Sequence, residues 1–155
     1  MLNVSWTAFY AQVEKNEARD DDEIALLTSD NSKRFCWIID SGATHHMTFE
    51  VNNPSDYVEF KKPCKVNLRD DRVIFAYGKG TYRLCTNLKG TSQRIALKNV
   101  LYLPDLKRNL LSVQAMIKLG ATVVFKDDEC TISTDSKLLG SGEVQGKLYM
   151  PKVIP

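Results

Sequence analysis

The apolar run Cys36-Trp37-Ile38-Ile39 ends without transition on Asp40-Ser41-Gly42-Ala43, and this junction constrains the fold more than any other stretch of the chain. An unbroken apolar run of this length, rich in β-branched residues, reads as a buried strand. A carboxylate at the end of such a strand is presented by a tight turn, in which the Ser41 hydroxyl can hydrogen-bond. Gly42 lets backbone approach backbone with no Cβ in the way. Asp, Ser and Gly are also ordinary surface-turn residues. The buried run before them and the small Ala43 after them favour a presented carboxylate over a plain turn.

From Phe35 onward the pattern is mainly β. Phe35 to Ile39 is a continuous apolar strand, Lys65 to Leu68 and Val73 to Tyr77 are short strands, and Thr81 to Cys85 alternates with a period of two. Arg94 to Leu101 adds another. Arg69-Asp70-Asp71-Arg72 is a polar turn that closes a hairpin, and Gly78-Lys79-Gly80 is expected to bend the chain out of the returning strand. A helix is predicted over Asn109 to Leu119, capped by Asn109, stopped by Gly120 and apolar on most sides. The expected fold class is therefore mainly β with one late buried α-helix.

A chain of 155 residues that is 43% hydrophobic buries one core and has no room for two large ones. No run approaches the length of a membrane span, and the first residues lack the basic and apolar regions of a signal peptide, so a cytoplasmic protein is expected. Cys36, Cys64, Cys85 and Cys130 are scattered, with no Cys-x-x-Cys pair, and read as reduced core residues. Charge divides unevenly. Residues 1–34 hold four Lys or Arg against seven Asp or Glu, including Asp20-Asp21-Asp22-Glu23, while the remainder holds 17 against 12. The leader 1–34 reads as a flexible acidic linker, with a short helix around Trp6 to Val13, or else as a tail that covers the basic remainder. A net charge of +2 does not argue for nucleic acid, and Lys61-Lys62 beside Phe60 is too little for a nucleic-acid stripe.

Two separated segments carry a family resemblance. Residues Trp37 to Met47, with the sequence Trp-Ile-Ile-Asp-Ser-Gly-Ala-Thr-His-His-Met, are similar to the protease segment of Ty1/copia-type retrotransposon polyproteins, a branch of the retropepsins. Asn99 to Val113 resembles the second signature of the same branch. The resemblance implies a retropepsin-like acid protease domain over 35–125, followed over 126–155 by C-terminal strands or a processing tail toward integrase. It makes Asp40 the catalytic residue, supported by Ser41 and Gly42, and places Ala43, Thr44 and His45 in substrate subsites. Arg69, Asp70, Asp71 and Arg72 become the tip of a flap over substrate. The late helix would pack behind the catalytic loop, and Ala121 to Phe125 would join a dimer sheet. The substrate implied is the chain's own polyprotein, within the cytoplasm or virus-like particles, with no cofactor and no metal.

The chemistry requires two facing carboxylates, one ionised to take a proton from water and one protonated to polarise the scissile carbonyl. Only one Asp-Ser-Gly element is present, because Asp135-Ser136-Lys137 lacks the Gly and the preceding apolar run. A homodimer is therefore expected, its active site at the interface. A Ser41–His–Asp40 triad is disfavoured, since those residue types crowd one loop and do not converge from separate segments. A metal site at His45, His46 and Asp40 lacks a third His. Other retropepsins place an Asp where Thr44 stands, paired with an Arg; here Arg108 is present without that partner. A binding or assembly module that keeps the fold without turnover is the alternative from a different class.

Overall fold

The computed structural model describes residues 37–51, 56–67 and 71–154. The expected linker 1–34, its short helix around Trp6 to Val13, the start of the first strand at Phe35 and Cys36, and Arg69 and Asp70 of the hairpin turn lie outside the described residues. Among the described residues the chain is mainly β, with eleven strands and one short helix.

β1 (Trp37–Asp40) is buried along its whole length. Its side chains alternate between two cores. Ile38 points into a cluster with Met47, Leu101, Leu110, Leu148 and Met150, whereas Trp37 and Ile39 join Val100, Leu111, Val113, Met116 and Ile132. A strand covered on both faces needs an unbroken apolar run, which explains why Trp37-Ile38-Ile39 does not alternate with polar residues. Each such aliphatic side chain contributes about 1.5–3 kcal/mol by leaving water.

β6 (Asn109–Ser112) runs parallel to β1, with Ile38 opposite Leu110 and Asp40 opposite Ser112. β2 (Met47–Thr48) pairs with β6 on one side and with β5 (Thr91–Tyr102) on the other. β5 pairs antiparallel with β4 (Val73–Leu88), and β4 in turn pairs with β3 (Val58–Asn67) and β11 (Val153–Ile154). These seven strands form one sheet, which curls into a half-barrel. β7 (Thr122–Lys126), β8 (Glu129–Ser133), β9 (Leu138–Gln145) and β10 (Leu148–Pro151) form a second, four-stranded sheet. Residues after Phe125 are thus built into strands, and Leu148 and Met150 share the core of β1.

Two local expectations differ from the structure. The helix, α1, spans Val113–Lys118 and does not begin at Asn109. Leu110 and Leu111 are drawn into β6 because both faces of that strand are covered, and the cap passes to Ser112, whose Oγ accepts the Ala115 N–H at 3.0 Å. Gly120, at φ 88°, closes the helix as expected. Only Val113 and Met116 of the helix are buried, while Ile117 and the capping Leu119 face solvent. Gly78-Lys79-Gly80 likewise does not bend the chain away: β4 runs straight through it. A Cβ on Gly78 would collide with the Tyr57 ring and the Val58 carbonyl, so close packing, not a break, fixes this glycine. No helix among the described residues is long and apolar enough to cross a membrane.

Candidate functional site

Parallel pairing of β1 with β6 sets the site. It carries Asp40 to the strand end beside Ser112, and the chain then turns through Ser41 to His46 before entering β2. Asp40 is 2% exposed, and its Oδ1 accepts the Gly42 N–H at 2.8 Å, the hydrogen bond of a tight turn closed on its own carboxylate. Its second oxygen is likewise shielded from solvent.

The loop is pinned from the opposite strand and helix. Ser112 Oγ donates to the Ala43 carbonyl while accepting from Ala115, so a single hydroxyl joins the loop to the first turn of α1. The Ser112 N–H donates to His46 Nδ1 at 2.9 Å, which puts the ring proton of a neutral imidazole on Nε2. Gln114 Nε2 donates to the Ser41 carbonyl at 3.3 Å. His46 is 3% exposed, and burial, followed by the neighbouring His45, lowers its pKa from 6.5 to about 4. The exit from the loop is held as firmly: Asn109 Oδ1 accepts from Thr48 Oγ1 at 2.7 Å and from the Phe49 N–H at 3.2 Å. Asn109, expected as a helix cap, is therefore a buried anchor for the end of β2.

Asp40, Ser41, Gly42, Ala43, Thr44 and His45 occupy one continuous loop. Thr44 Oγ1 hydrogen-bonds His45 Nδ1 at 2.9 Å, so this hydroxyl turns to its own neighbour. Thr44 and His45 line a cleft of ≈ 500 Å³ with Phe60, Lys79, Lys98 and Lys118, which Asp40 does not line. Asp71 and Arg72 sit at the turn between β3 and β4 and do not reach that cleft. The strands flanking this turn pair down to Asn67 opposite Val73. Along the returning strand Ile74 and Ala76 are buried, whereas Val73, Phe75 and Tyr77 point outward as an exposed apolar row.

Sequence reasoning missed Ser112, gave Asn109 the role of a helix cap, and read His46 as a packed or turn histidine near Asp40 without its tie to Ser112. The signal was available in part. Asn109-Leu110-Leu111-Ser112 repeats the pattern of Trp37-Ile38-Ile39-Asp40, two apolar residues on opposite faces followed by a polar end. Among the described residues no group of three or more His, Cys, Asp or Glu is placed to hold a metal ion.

Residues 37–121 match the family described as "Pol polyprotein, beta-barrel domain". The chain is 34% identical over 90 residues to the retrovirus-related Pol polyprotein from transposon RE1 of Arabidopsis thaliana, covering 57% of this chain and 6% of that protein. It is 36% identical over 77 residues to the corresponding polyprotein from transposon RE2 of the same plant, covering 50% of this chain and 5% of that protein. To the polyprotein from transposon TNT 1-94 of Nicotiana tabacum it is 26% identical over 132 residues, 84% of this chain and 9% of the relative. The chain thus spans a small fraction of the length of the curated relatives it matches. No solved structure matches it. The family match extends from the first residue of β1 past the end of α1 and so contains both halves of the Asp40 site; the chain belongs to the Pol polyprotein β-barrel domain family and is a retrotransposon Pol region.

Proposed function

We propose that this Pol region is the protease of its polyprotein, a homodimeric aspartic endopeptidase of the retropepsin type. The observation that carries the reading is the Asp40 turn, a carboxylate at the end of a fully buried strand. One of its oxygens is held by the Gly42 N–H, and its loop is pinned by Ser112 of the neighbouring strand, which donates to the Ala43 carbonyl and to His46 Nδ1. Such pinning keeps a reacting group in place before substrate arrives. Two copies related by a twofold axis bring two Asp40 side chains together. Like charges that close share one proton: the ionised member takes a proton from the attacking water and the protonated member polarises the scissile carbonyl. The β3–β4 hairpin serves as the flap, and its outward row Val73, Phe75 and Tyr77 offers an apolar face to a bound peptide.

The test is cleavage of the flanking polyprotein in trans by the intact chain and by its Asp40→Asn variant. An amide keeps an oxygen to accept the Gly42 N–H but cannot act as a base, so the variant should fold normally and lose cleavage. Proteolysis surviving in Asp40→Asn would overturn the assignment. An intact chain that dimerises but never cleaves would favour the binding or assembly module instead.

A further inference from the structure

The cleft beside Thr44 and His45 is basic in a way the Asp40 chemistry does not require. Lys79 comes from β4, Lys98 from β5 and Lys118 from the last turn of α1, and all three line the same concave space. Among the described residues no acidic side chain lines it, and none of the three ammonium groups pairs with a carboxylate. Lys98 reaches the cleft through a local irregularity. Between the pairs Gly80–Val100 and Tyr82–Leu97 the β5 strand has two residues, Lys98 and Asn99, opposite Thr81 alone. Asn99 adopts φ 56°, a conformation that Asn tolerates better than most residues. Bulges of this kind re-aim side chains, and here both bulged residues line the cleft. The remaining wall is mixed, with Phe60, Leu101 and Leu119 beside the Thr44 hydroxyl. The field of the cluster is felt locally: after burial, Lys118 and Lys79 are the causes that lower the pKa of His45.

We infer that this cleft is a binding site for an acidic peptide segment, its Asp or Glu side chains meeting Lys79, Lys98 and Lys118 while apolar atoms rest on Phe60 and Leu119. A peptide fits this wall better than a nucleic acid, which needs a positive groove that tracks a phosphate backbone; here three cations line one concave space. The occupant is the chain's own Asp20-Asp21-Asp22-Glu23, whose run of four carboxylates matches the three ammonium groups. The 14 positions from Glu23 to Trp37 reach up to roughly 50 Å when extended, beyond the ~35 Å across a domain of this size, so the segment is long enough to reach any face. The inference stands on charge and shape and holds whether or not Asp40 cleaves peptides.

The experiment uses the full chain carrying Asp40→Asn, so that no peptide is consumed, and a fluorescent peptide containing Asp-Asp-Asp-Glu. In a background with the leader neutralised (Asp20→Asn, Asp21→Asn, Asp22→Asn, Glu23→Gln), the peptide should bind with an affinity that falls as salt rises. Adding Lys98→Glu and Lys118→Glu, both on exposed side chains, should weaken binding at least tenfold with an unchanged circular dichroism spectrum. Restoring the leader should lower peptide affinity several-fold; equal affinity would overturn the leader as the occupant. Absence of binding in the leader-neutralised chain, or binding indifferent to the charge reversals, would overturn the inference. An RNA oligonucleotide that binds more tightly than the peptide and is lost in the same variants would overturn it as well.

Discussion

At the scale of single residues, the proposed acid chemistry and the stability of the fold pull in opposite directions, and His46 is where they meet. Its imidazole is buried neutral, accepts the Ser112 N–H, and titrates at about 4 in place of 6.5. The unfolded chain therefore binds more protons than the folded chain between those two values. Stability from this group is complete above about 6.5 and is lost as pH falls toward about 4, a loss on the order of 3 kcal/mol. A shared-proton dyad would work best on the acid side of neutrality, so cleavage should show a bell-shaped profile whose acid limb is steepened by unfolding. Urea titrations from pH 7 down to pH 4 should show the midpoint falling with pH, and His46→Gln should be less stable at pH 7 but flatter across the range. An unchanged slope in that variant would remove His46 from the account. Asp40 and Gly42 were legible in the sequence because their chemistry is local. His46 was not, because its partner, Ser112, is 66 residues away and only the pairing of β1 with β6 brings them together.

At the scale of elements, patterning placed strands in β1, β3, β4, β5 and β7 but passed over β2, β6, β8 and β11, and tertiary covering decided where strand gave way to helix. The stretch from Asn109 to Leu119 satisfies a helical period, yet its first four residues pair with β1 because Leu110 and Leu111 each complete a different core. Ser112 belongs to both elements, as the last residue of β6 and the cap of α1. Ser112→Ala would remove the cap and leave the buried Ala43 carbonyl without this donor, a cost of about 1–3 kcal/mol. Loss of cleavage should exceed that seen with an equally destabilising substitution far from the loop, which separates loop positioning from simple instability. The second sheet also supports β1. A Cβ on Gly142 would lie 2.7 Å from Cys130 Sγ, 2.8 Å from Ile39 Cδ1 and 2.9 Å from the Met150 carbonyl oxygen. Two of these neighbours cannot yield easily, since the Met150 oxygen is backbone and Ile39 is buried within β1. Gly142→Ala should cost about 1–3 kcal/mol, measurable as a lower denaturation midpoint. An unaltered midpoint would mean that β9 and β1 are not packed this tightly in solution. The reading of 126–155 as C-terminal strands or a processing tail did not extend to this packing, because nothing local shows that residues after Phe125 return to cover β1.

At the scale of the whole molecule, the question is what covers the surfaces that one chain leaves bare. β7 lies at the edge of the four-stranded sheet, with Val124 49% and Phe125 40% exposed, and Leu119 at the end of α1 is 74% exposed. Among the described residues no strand pairs with the outer edge of β7, and such an edge with apolar neighbours is a ready site for pairing with another chain. The proposed dyad asks for the same event, since one chain supplies one Asp40 turn. If β7 takes part in the subunit contact, Val124→Asp should weaken association by several kcal/mol, because a charge left unpaired in a contact is costly. The same variant should leave the monomer folded, since Val124 is already half in water. Sedimentation of the two proteins over a dilution series would read the shift directly. Activity should follow the dimer fraction, rising per chain with concentration. Excess Asp40→Asn chains should poison the wild type, because a mixed dimer carries one carboxylate where the chemistry needs two. Association unchanged in Val124→Asp would move the contact away from β7. Specific activity independent of dilution, with no inhibition by the Asn variant, would point to a complete site within one chain and overturn the shared dyad.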